Sequence, residues 1–423
     1  MEIMEKTNQN LFITGKAGTG KSQLIQYFRK NTIKKVVVLA PTGIAALNIR
    51  GQTIHSFFGF PPRMIEPKAI RKQTGNRIMD LDTLIIDEIS MVRADLLDGV
   101  DRFLRLNGKD QDLPFGGIQI VLVGDMYQLP PVITQEESEV YSQFYDSPYF
   151  FSANSFHLDD FNIVELKTIF RQKEIEFVNF LNNVRTGEVT SENIELINRK
   201  VTDNVLNRDH VILCTVNKTA QYINEQKLEE IKKPEFIYEA VVEDDFPTED
   251  RTLPVDLKLQ LKKEAKVLFV RNDPAGRWVN GTLGKVHKLE EDLIEVKIDE
   301  SKEVVQVDIC EWDNIKYEFY PKSGNLNEKV IGKLKQYPLR LAWAITIHKS
   351  QGMTLDRVCL DFSHSPFAHG QTYVALSRCR SLEGLILSRR IWPNDVIVDE
   401  RIQEFHKRLI KNKLASQGDA PSV

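Results

Sequence analysis

The sequence predicts an α/β fold built on a parallel sheet, and three observations carry that expectation. The first is Gly15-Lys16-Ala17-Gly18-Thr19-Gly20-Lys21-Ser22, which fits GxxxxGK[S/T] and sits between an apolar run at 10–14 and a stretch of amphipathic helical spacing at 23–29. The second is the apolar run 82–86, which ends in the acid pair Asp87-Glu88. The third is the apolar run 118–124, which leads into Asp125 and Gln128. Buried parallel strands read as apolar runs of this kind, and their carboxyl ends face the ligand crevice.

Taken in order, residues 10–14 form a short buried strand. The glycines after it let backbone N–H groups curl around phosphate oxygens, and the helix that follows points its positive end at them. Gly15, Ala17, Gly18, Thr19 and Gly20 would line the phosphates, Lys21 would reach the β- and γ-phosphates, and the Ser22 hydroxyl would ligate Mg²⁺. Residues 34–40 form a second strand. After the strand at 82–86, Asp87 would hold the Mg²⁺ through its water shell, and Glu88 would orient or deprotonate the attacking water. An acid pair in that position is also a common solvated strand end; its place downstream of a P-loop favours the chemical reading. Gln128, just beyond the strand at 118–124, is placed to sense a γ-phosphate, and Pro130-Pro131 stiffens the exit. Arg171 and Arg378 are candidate clamps, since a guanidinium suits a transferring phosphoryl group, although each taken singly better suits a surface ion pair.

Composition narrows the class. The 423 residues allow several domains, and 42% hydrophobic content is ordinary for a globular protein. No apolar run approaches the ~20 residues of a membrane span. Residues 1–6 lack the cationic start and apolar stretch of a signal peptide. Cys214, Cys310, Cys359 and Cys379 are too widely spaced for a zinc site or a disulfide scaffold. An intracellular setting, bacterial-like cytoplasm or nucleoid, is the expectation. The net charge of −4 argues against an all-over basic coat, so a nucleic acid would be held in a local track.

The motifs occur in a recognisable order. They are 15–22; Ala40-Pro41-Thr42-Gly43-Ile44-Ala45-Ala46; Gly51-Gln52-Thr53-Ile54-His55-Ser56-Phe57; Ile86-Asp87-Glu88-Ile89-Ser90-Met91; and Pro114-Phe115-Gly116-Gly117 through Gly124-Asp125 to Gln128-Leu129-Pro130-Pro131-Val132. Phe170-Arg171-Gln172, the stretch Ala344 to Thr354 and the segment around Arg378 complete the set. Over roughly residues 10 to 390 the chain resembles the Pif (petite integration frequency) family of DNA helicases, in the RecD-like, 5′-to-3′ branch of superfamily one. Residues 92–98, with Arg102, look like the family's own signature between its second and third motifs.

The resemblance implies two RecA-like domains, at 1–170 and at 171–240 with 331–412, and a tail at 413–423. Strand 211–217 would open the second domain, with Asn224 on the next helix. It further implies that Lys21, Ser22, Asp87, Glu88, Gln128, Arg171 and Arg378 form the ATP site, that Arg171 and Arg378 approach the γ-phosphate from the cleft between the domains, and that Gly352 lies against it. The glutamine motif that such helicases carry upstream of the P-loop has no assignable counterpart, Gln9 being too close to the loop.

A single-strand groove needs phosphate-binding hydroxyls and amides with a few aromatic platforms. Pro41, Thr42, Thr53, His55, Ser56, Phe58 and Phe60 are the candidates in the first domain, and Thr346, His348 and Lys349 in the second. The stretch 57–64 is apolar and proline-stiffened, and Lys68, Arg71, Lys72 and Arg77 follow it. Residues 57–78 thus read either as a wedge that splits or pins duplex DNA or as a packed surface excursion. Residues 241–330 change character: runs at 266–271, 282–286, 293–298 and 304–307, with turn signals at 273–276 and 280–281, predict a small antiparallel barrel. The resemblance makes it Src-homology-three-like and leans it over the single strand; a structural insertion without DNA contact is the other reading. Residues 408–413 look like a basic helix end, and 418–423 like a disordered tail.

The resulting expectation is an ATP-dependent helicase that steps 5′-to-3′ on single-stranded DNA and unwinds duplexes, with G-quadruplexes as a further substrate. ATP and Mg²⁺ would be its cofactors, single strands and strand junctions its partners, and a monomer its form. The resemblance brings with it a place in DNA repair, recombination and telomere or genome maintenance. A translocase that remodels protein–DNA complexes without strand separation, and an inactive DNA clamp, are the competing readings.

Overall fold

Short apolar runs broken by glycine-bearing turns become parallel strands here because both faces of each run find cover. The computed structural model describes residues 1–61, 63–72, 78–133, 135–203, 210–248, 253–320 and 325–418. The chain divides into two units: Met1–Ile169 with Asp313–Ile331 and the residues from Asp399 onward, and Phe170–Trp312 with Gly332–Val398.

The first unit begins with helix α1 (Glu2–Lys6), strand β1 (Asn10–Gly15) and helix α2 (Lys21–Asn31). There follow β2 (Val36–Ala40), α3 (Gly43–Asn48), β3 (Gln52–Thr53), α4 (Ile54–Phe58), β4 (Thr83–Ile86) and α5 (Ala94–Asn107). Next come β5 (Gln119–Gly124), α6 (Gln135–Tyr141) and β6 (Phe161–Leu166). The six strands run parallel in the order β3-β2-β4-β5-β1-β6. Because the chain passes from β1 out to β2 and then returns through β4 and β5, the carboxyl ends of β4, β5 and β1 are neighbours. That crossover point is where open α/β sheets bind ligands. Leu11, Ile13, Ile25, Phe28, Val38, Ile85, Val121 and Val123 form one core.

The final helix (Glu400–Gly418) packs on the first unit, which corrects the expectation that residues up to 412 belong to the second RecA-like domain. Phe405 is the reason: its ring stacks 4.3 Å from that of Phe151 and meets Phe12, Phe150 and Phe156. Asn412 also donates to Asp159 (2.6 Å), and Lys413 pairs with Glu165 (3.0 Å). The helix continues past 413, where a tail was expected; residues 419–423 lie outside the described residues.

The second unit holds α7 (Ile175–Thr186), α8 (Ser191–Asn198), β7 (Val211–Cys214) and α9 (Asn217–Glu230). An antiparallel insertion follows: β8 (Glu235–Glu239), β9 (Val241–Asp244), β10 (Lys258–Lys262), β11 (Lys266–Phe269), β12 (Leu283–Glu290), β13 (Leu293–Ile298) and β14 (Val304–Val307). It is completed by β15 (Cys310–Tyr320), β16 (Asn325–Gln336) and β17 (Leu339–Leu341). Strands β14-β13-β12-β11-β17 form one sheet, and β8 pairs with β10. Tyr238 and Leu339 join Val267, Phe269, Val286 and Ile294 in a single core, so the antiparallel region is wider than 241–330. Gly281 in this insertion has a φ of +95°, and a Cβ there would stand 2.6 Å from the Thr354 carbonyl oxygen.

The chain then returns to an α/β pattern with β18 (Ala344–Thr346), β19 (Val358–Asp361), α10 (Gln371–Leu376) and β20 (Leu385–Leu387). The sheet order is β18-β7-β19-β20, all parallel. Asn224 on α9 fixes β18 through both its amide groups, donating to Ala344 O (2.7 Å) and accepting from Ala344 N–H (2.9 Å). No helix among the described residues is long and apolar enough to cross a membrane.

Candidate functional site

The P-loop opens where β1 ends. Gly18 and Gly20 have φ of 78° and 85°, the left-handed region that glycine adopts without strain. A Cβ on Gly20 would meet nothing within 4 Å, so that side of the loop is open space. Helix α2 starts at Lys21 with no side-chain cap and no acid in its first turn, a polarity that favours an anion. Lys21 Nζ curls back onto the carbonyls of Gly15 (2.7 Å) and Lys16 (3.1 Å), and the Thr19 hydroxyl also donates to Lys16 O (2.9 Å).

The end of β4 faces this loop. Ser22 Oγ lies 3.4 Å from Asp87 Oδ2, linking the two motifs across 65 residues of sequence. Asp87 is 3% exposed, and burial pushes its carboxyl up, against the Glu88 N–H, Lys21 and Ser22, which favour the anion. A hydroxyl beside a carboxylate is a donor set that suits a hard divalent cation such as Mg²⁺. Glu88 has a φ of 51°, unusual for a residue with a side chain. Gln128, also buried, follows β5, its N–H bonded to Asp125 O (3.0 Å). The structure therefore gathers Gly15 to Ser22, Asp87, Glu88 and Gln128 at three neighbouring strand ends. Gln9 sits at the other end of β1 and is engaged there: its carbonyl accepts from Gln119 Nε2 (2.8 Å) and its side chain from Asn162 (3.2 Å).

In the second unit, Arg171, Gly352 and Arg378 come together. Arg171 donates to Ser377 O (3.1 Å) and Gly352 O (3.5 Å). Arg378 is 1% exposed and is wrapped by Val374 O, Ser350 O, Met353 O and the Ser377 hydroxyl. It is buried rather than at the surface, with carbonyl dipoles gathered around its charge.

The DNA candidates fall into two groups by local role. Thr42 caps α3 by accepting from Ala45 N–H, Thr53 caps α4 through Ser56 N–H, and Ser56 Oγ accepts from Gln52 (2.8 Å). Pro41 precedes the first cap, half-buried. Burial and then Arg93 push the His55 imidazole below its usual range, against Asp95. Thr346 ends β18 and accepts weakly from Lys349 N–H (3.4 Å), while burial pushes the His348 imidazole down.

Phe58 corrects an expectation. It is 2% exposed, its ring stacked on Phe60 (5.3 Å) and set edge-on to Phe103 (5.0 Å) of α5, so it is core and offers no face to a base. Phe60 packs on the same helix, where a Cβ on Gly99 would come 3.3 Å from its ring. The stretch 57–61 is thus a packed excursion at its aromatic end; Pro62 and Arg77 lie outside the described residues.

What anchors that excursion is a feature sequence reasoning missed. Asp95, Asp98 and Asp101 line α5 at intervals of three, all buried. Asp95 accepts from Ile65 N–H (2.7 Å) and pairs with Arg93 (2.7 Å). Asp98 takes Tyr145 OH, Asn154 N–H, Asn154 Nδ2 and Ser155 N–H. Asp101 takes Phe115 N–H and Arg105. Each carboxylate ties a different loop to the helix. The signal was present as acids spaced by three along the first eight residues of a helix that are otherwise apolar or glycine.

Comparison with known proteins agrees with this geometry. The family profile described as PIF1-like helicase matches residues 1–195. The chain is 35% identical to the ATP-dependent DNA helicase Pif1 of Bdellovibrio bacteriovorus over 95% of its length and 89% of that relative. It is 34% identical to the Xenopus laevis PIF1 helicase, of which it spans 64%, so it covers less than two-thirds of that longer relative. Among solved structures it is similar to Bacteroides sp Pif1 in complex with ADP-AlF4 (TM-score 0.86, 39% identity, 96% of this chain and 94% of that one). It is also similar to Bacteroides Pif1 bound to single-stranded DNA (TM-score 0.67, 39% identity, 95% and 93%).

Proposed function

The chain belongs to the PIF1-like helicase family, and on that premise we propose that it is an ATP-dependent DNA helicase that moves 5′-to-3′ along single-stranded DNA and opens duplexes at strand junctions. The observation that carries the reading is the meeting of Lys21, Ser22 and Asp87 at neighbouring strand ends. Lys21 has two carbonyls to leave and a phosphate to reach. Ser22 and Asp87 would hold Mg²⁺, which when bound neutralises phosphate charge and orients the nucleotide. Glu88 positions the attacking water, and Gln128 reports on the γ-phosphate. Arg171 and Arg378 are the second unit's contribution to ATP turnover, their guanidiniums gathered with Gly352. Thr42, Thr53, His55 and Ser56 on one unit and Thr346, His348 and Lys349 on the other grip the strand. Gln9, the glutamine that precedes the P-loop, is engaged by Gln119 and Asn162.

ATPase and unwinding on 5′- and 3′-tailed duplexes test the proposal, with Lys21→Ala as control. Expected are turnover that rises with single-stranded DNA and strand separation from 5′ tails. Unwinding from 3′ tails alone would overturn the polarity, and turnover indifferent to DNA would favour a clamp. A second reading, a translocase that strips proteins without separating strands, is favoured by the burial of Phe58 and the packing of Phe60 on α5, which leave those rings unsuited to prying bases apart. Folded G-quadruplex substrates and a sizing measurement of the free protein, expected to be monomeric, complete the test.

A further inference from the structure

We infer that the single-strand track crosses the whole carboxyl edge of the second sheet and ends on a base-stacking platform made by Phe367 and Trp392 with Arg390. The inference rests on the DNA-binding reading above and extends it to residues outside the motifs.

All four strands of the sheet point the same way, so their carboxyl ends form one edge about 14 Å across at ordinary strand spacing. Side chains and backbone tie that edge together without a break. Thr346, the last residue of β18, pairs with Cys214, the last of β7, and Ile347 N–H donates to Cys214 O (3.0 Å). The next residue on β7's side, Thr215, donates its hydroxyl to His364 O (3.0 Å), on the loop after β19. On that loop Ser365 Oγ accepts from Arg389 (3.0 Å), on the loop after β20. Arg389 also binds Phe362 O (2.7 Å) and both carboxylate oxygens of Asp395 (2.8 Å each). The candidate grip at Thr346 to Lys349 is therefore continuous with the far side of the sheet.

On that far side two large aromatic rings face water. Phe367 is 64% exposed and Trp392 is 58% exposed, whereas Trp278 and Trp312 are buried and Trp343 is half-buried. Neither ring sits on a loose loop. Phe367 N–H is bonded to Gln371 Oε1 (3.0 Å), and Trp392 N–H to Asp395 Oδ2 (2.8 Å). The Arg390 guanidinium lies 5.9 Å from the Trp392 ring centroid. Two presented rings and a cation are what an unpaired base and its phosphate recognise. Paired bases are already stacked on each other, so the chemistry selects a single strand over a duplex. The continuity with Thr346 and Lys349 and the positive charge of Arg390 select DNA over an apolar protein partner.

The test uses the full chain and oligothymidylate. Adding oligothymidylate to the wild type is expected to shield Trp392 from acrylamide quenching, a signal absent from the W392F variant. The Phe367→Ala/Trp392→Ala double variant is expected to bind at least about tenfold more weakly, given the size of base–aromatic stacking. Arg390→Ala is expected to lower the slope of log affinity against log salt by about 0.7. Both rings are exposed, so an unchanged melting temperature should accompany the loss. A wild type that binds oligothymidylate while Trp392 stays open to acrylamide, with all variants binding equally well, overturns the platform and leaves the helicase reading intact. A wild type that does not bind oligothymidylate overturns both.

Discussion

Asp87 and Asp98 are the same residue type in the same unit, both nearly out of contact with water, and they do opposite things. Asp98 accepts from four donors, Tyr145 OH, two groups of Asn154 and Ser155 N–H, and its hydrogen-bonding capacity is filled by the protein. Asp87 has the N–H of its own neighbour Glu88 at 2.9 Å and a long contact to Ser22. A buried carboxylate that its fold saturates is a fastener, and one that its fold supplies sparingly is held for a ligand. Burial alone does not tell them apart; the donor inventory does.

The largest effect that can sharpen this contrast is at the ligand side. Lys21→Ala should lower DNA-stimulated ATP turnover by about 10²–10³-fold while leaving the melting temperature in place, as read by steady-state ATPase and calorimetry together. Asp98→Ala should do the reverse, because it leaves the buried Tyr145 hydroxyl without its acceptor. It also removes the acceptor of the part-buried N–H groups at 154 and 155 and should cost about 3 kcal/mol of stability, measured by denaturant unfolding, with turnover per folded molecule unchanged. A loss of turnover without a loss of stability in Asp98→Ala would break the distinction.

Phe60→Ala comes next. The ring fills space against Phe58 and Phe103, so its removal should cost about 2 kcal/mol, and unwinding should fall only as far as the folded fraction does. Unwinding lost at full ATPase and full stability would return the ring to the DNA. The smallest effect concerns Asp399. Burial pushes this carboxyl up, but hydrogen bonds from Arg401 and Tyr149 hold it below the usual range. A depressed folded pKa contributes stability above the unfolded value of about 3.9, and that contribution is lost as pH falls through the folded value. Wild type should therefore lose stability more steeply than Asp399→Asn as pH falls below about 4.

The strands bearing the P-loop and Asp87 were legible because apolar runs next to glycines leave few alternatives. β1, β4 and β5 fall within a residue or so of the expected runs. So were β11 to β14, where turn residues separate short alternating segments. β3 and β17 were not, having two and three residues, and their pairing depends on partners remote in sequence. The placement of the last helix was illegible for the same reason: Phe405 meets Phe12 and Phe150, and nothing local to 400–418 announces it. Phe58 misled because an aromatic near a proline cluster reads the same whether it faces a base or α5. The roles of Asp95, Asp98 and Asp101 could be seen only once the loops they tie were in place.

The close approach of Gly281 to Thr354 bears on how the antiparallel insertion can be altered. Backbone touches backbone there, with no side chain between to yield. The insertion is therefore a wall of the loop that follows Gly352, and a shortened protein lacking residues 235–341 would expose that loop rather than yield a minimal motor. Engineers seeking to add or remove mass should work beside Gly276, where a Cβ would meet nothing but whose φ of +75° calls for glycine itself, and leave position 281 alone.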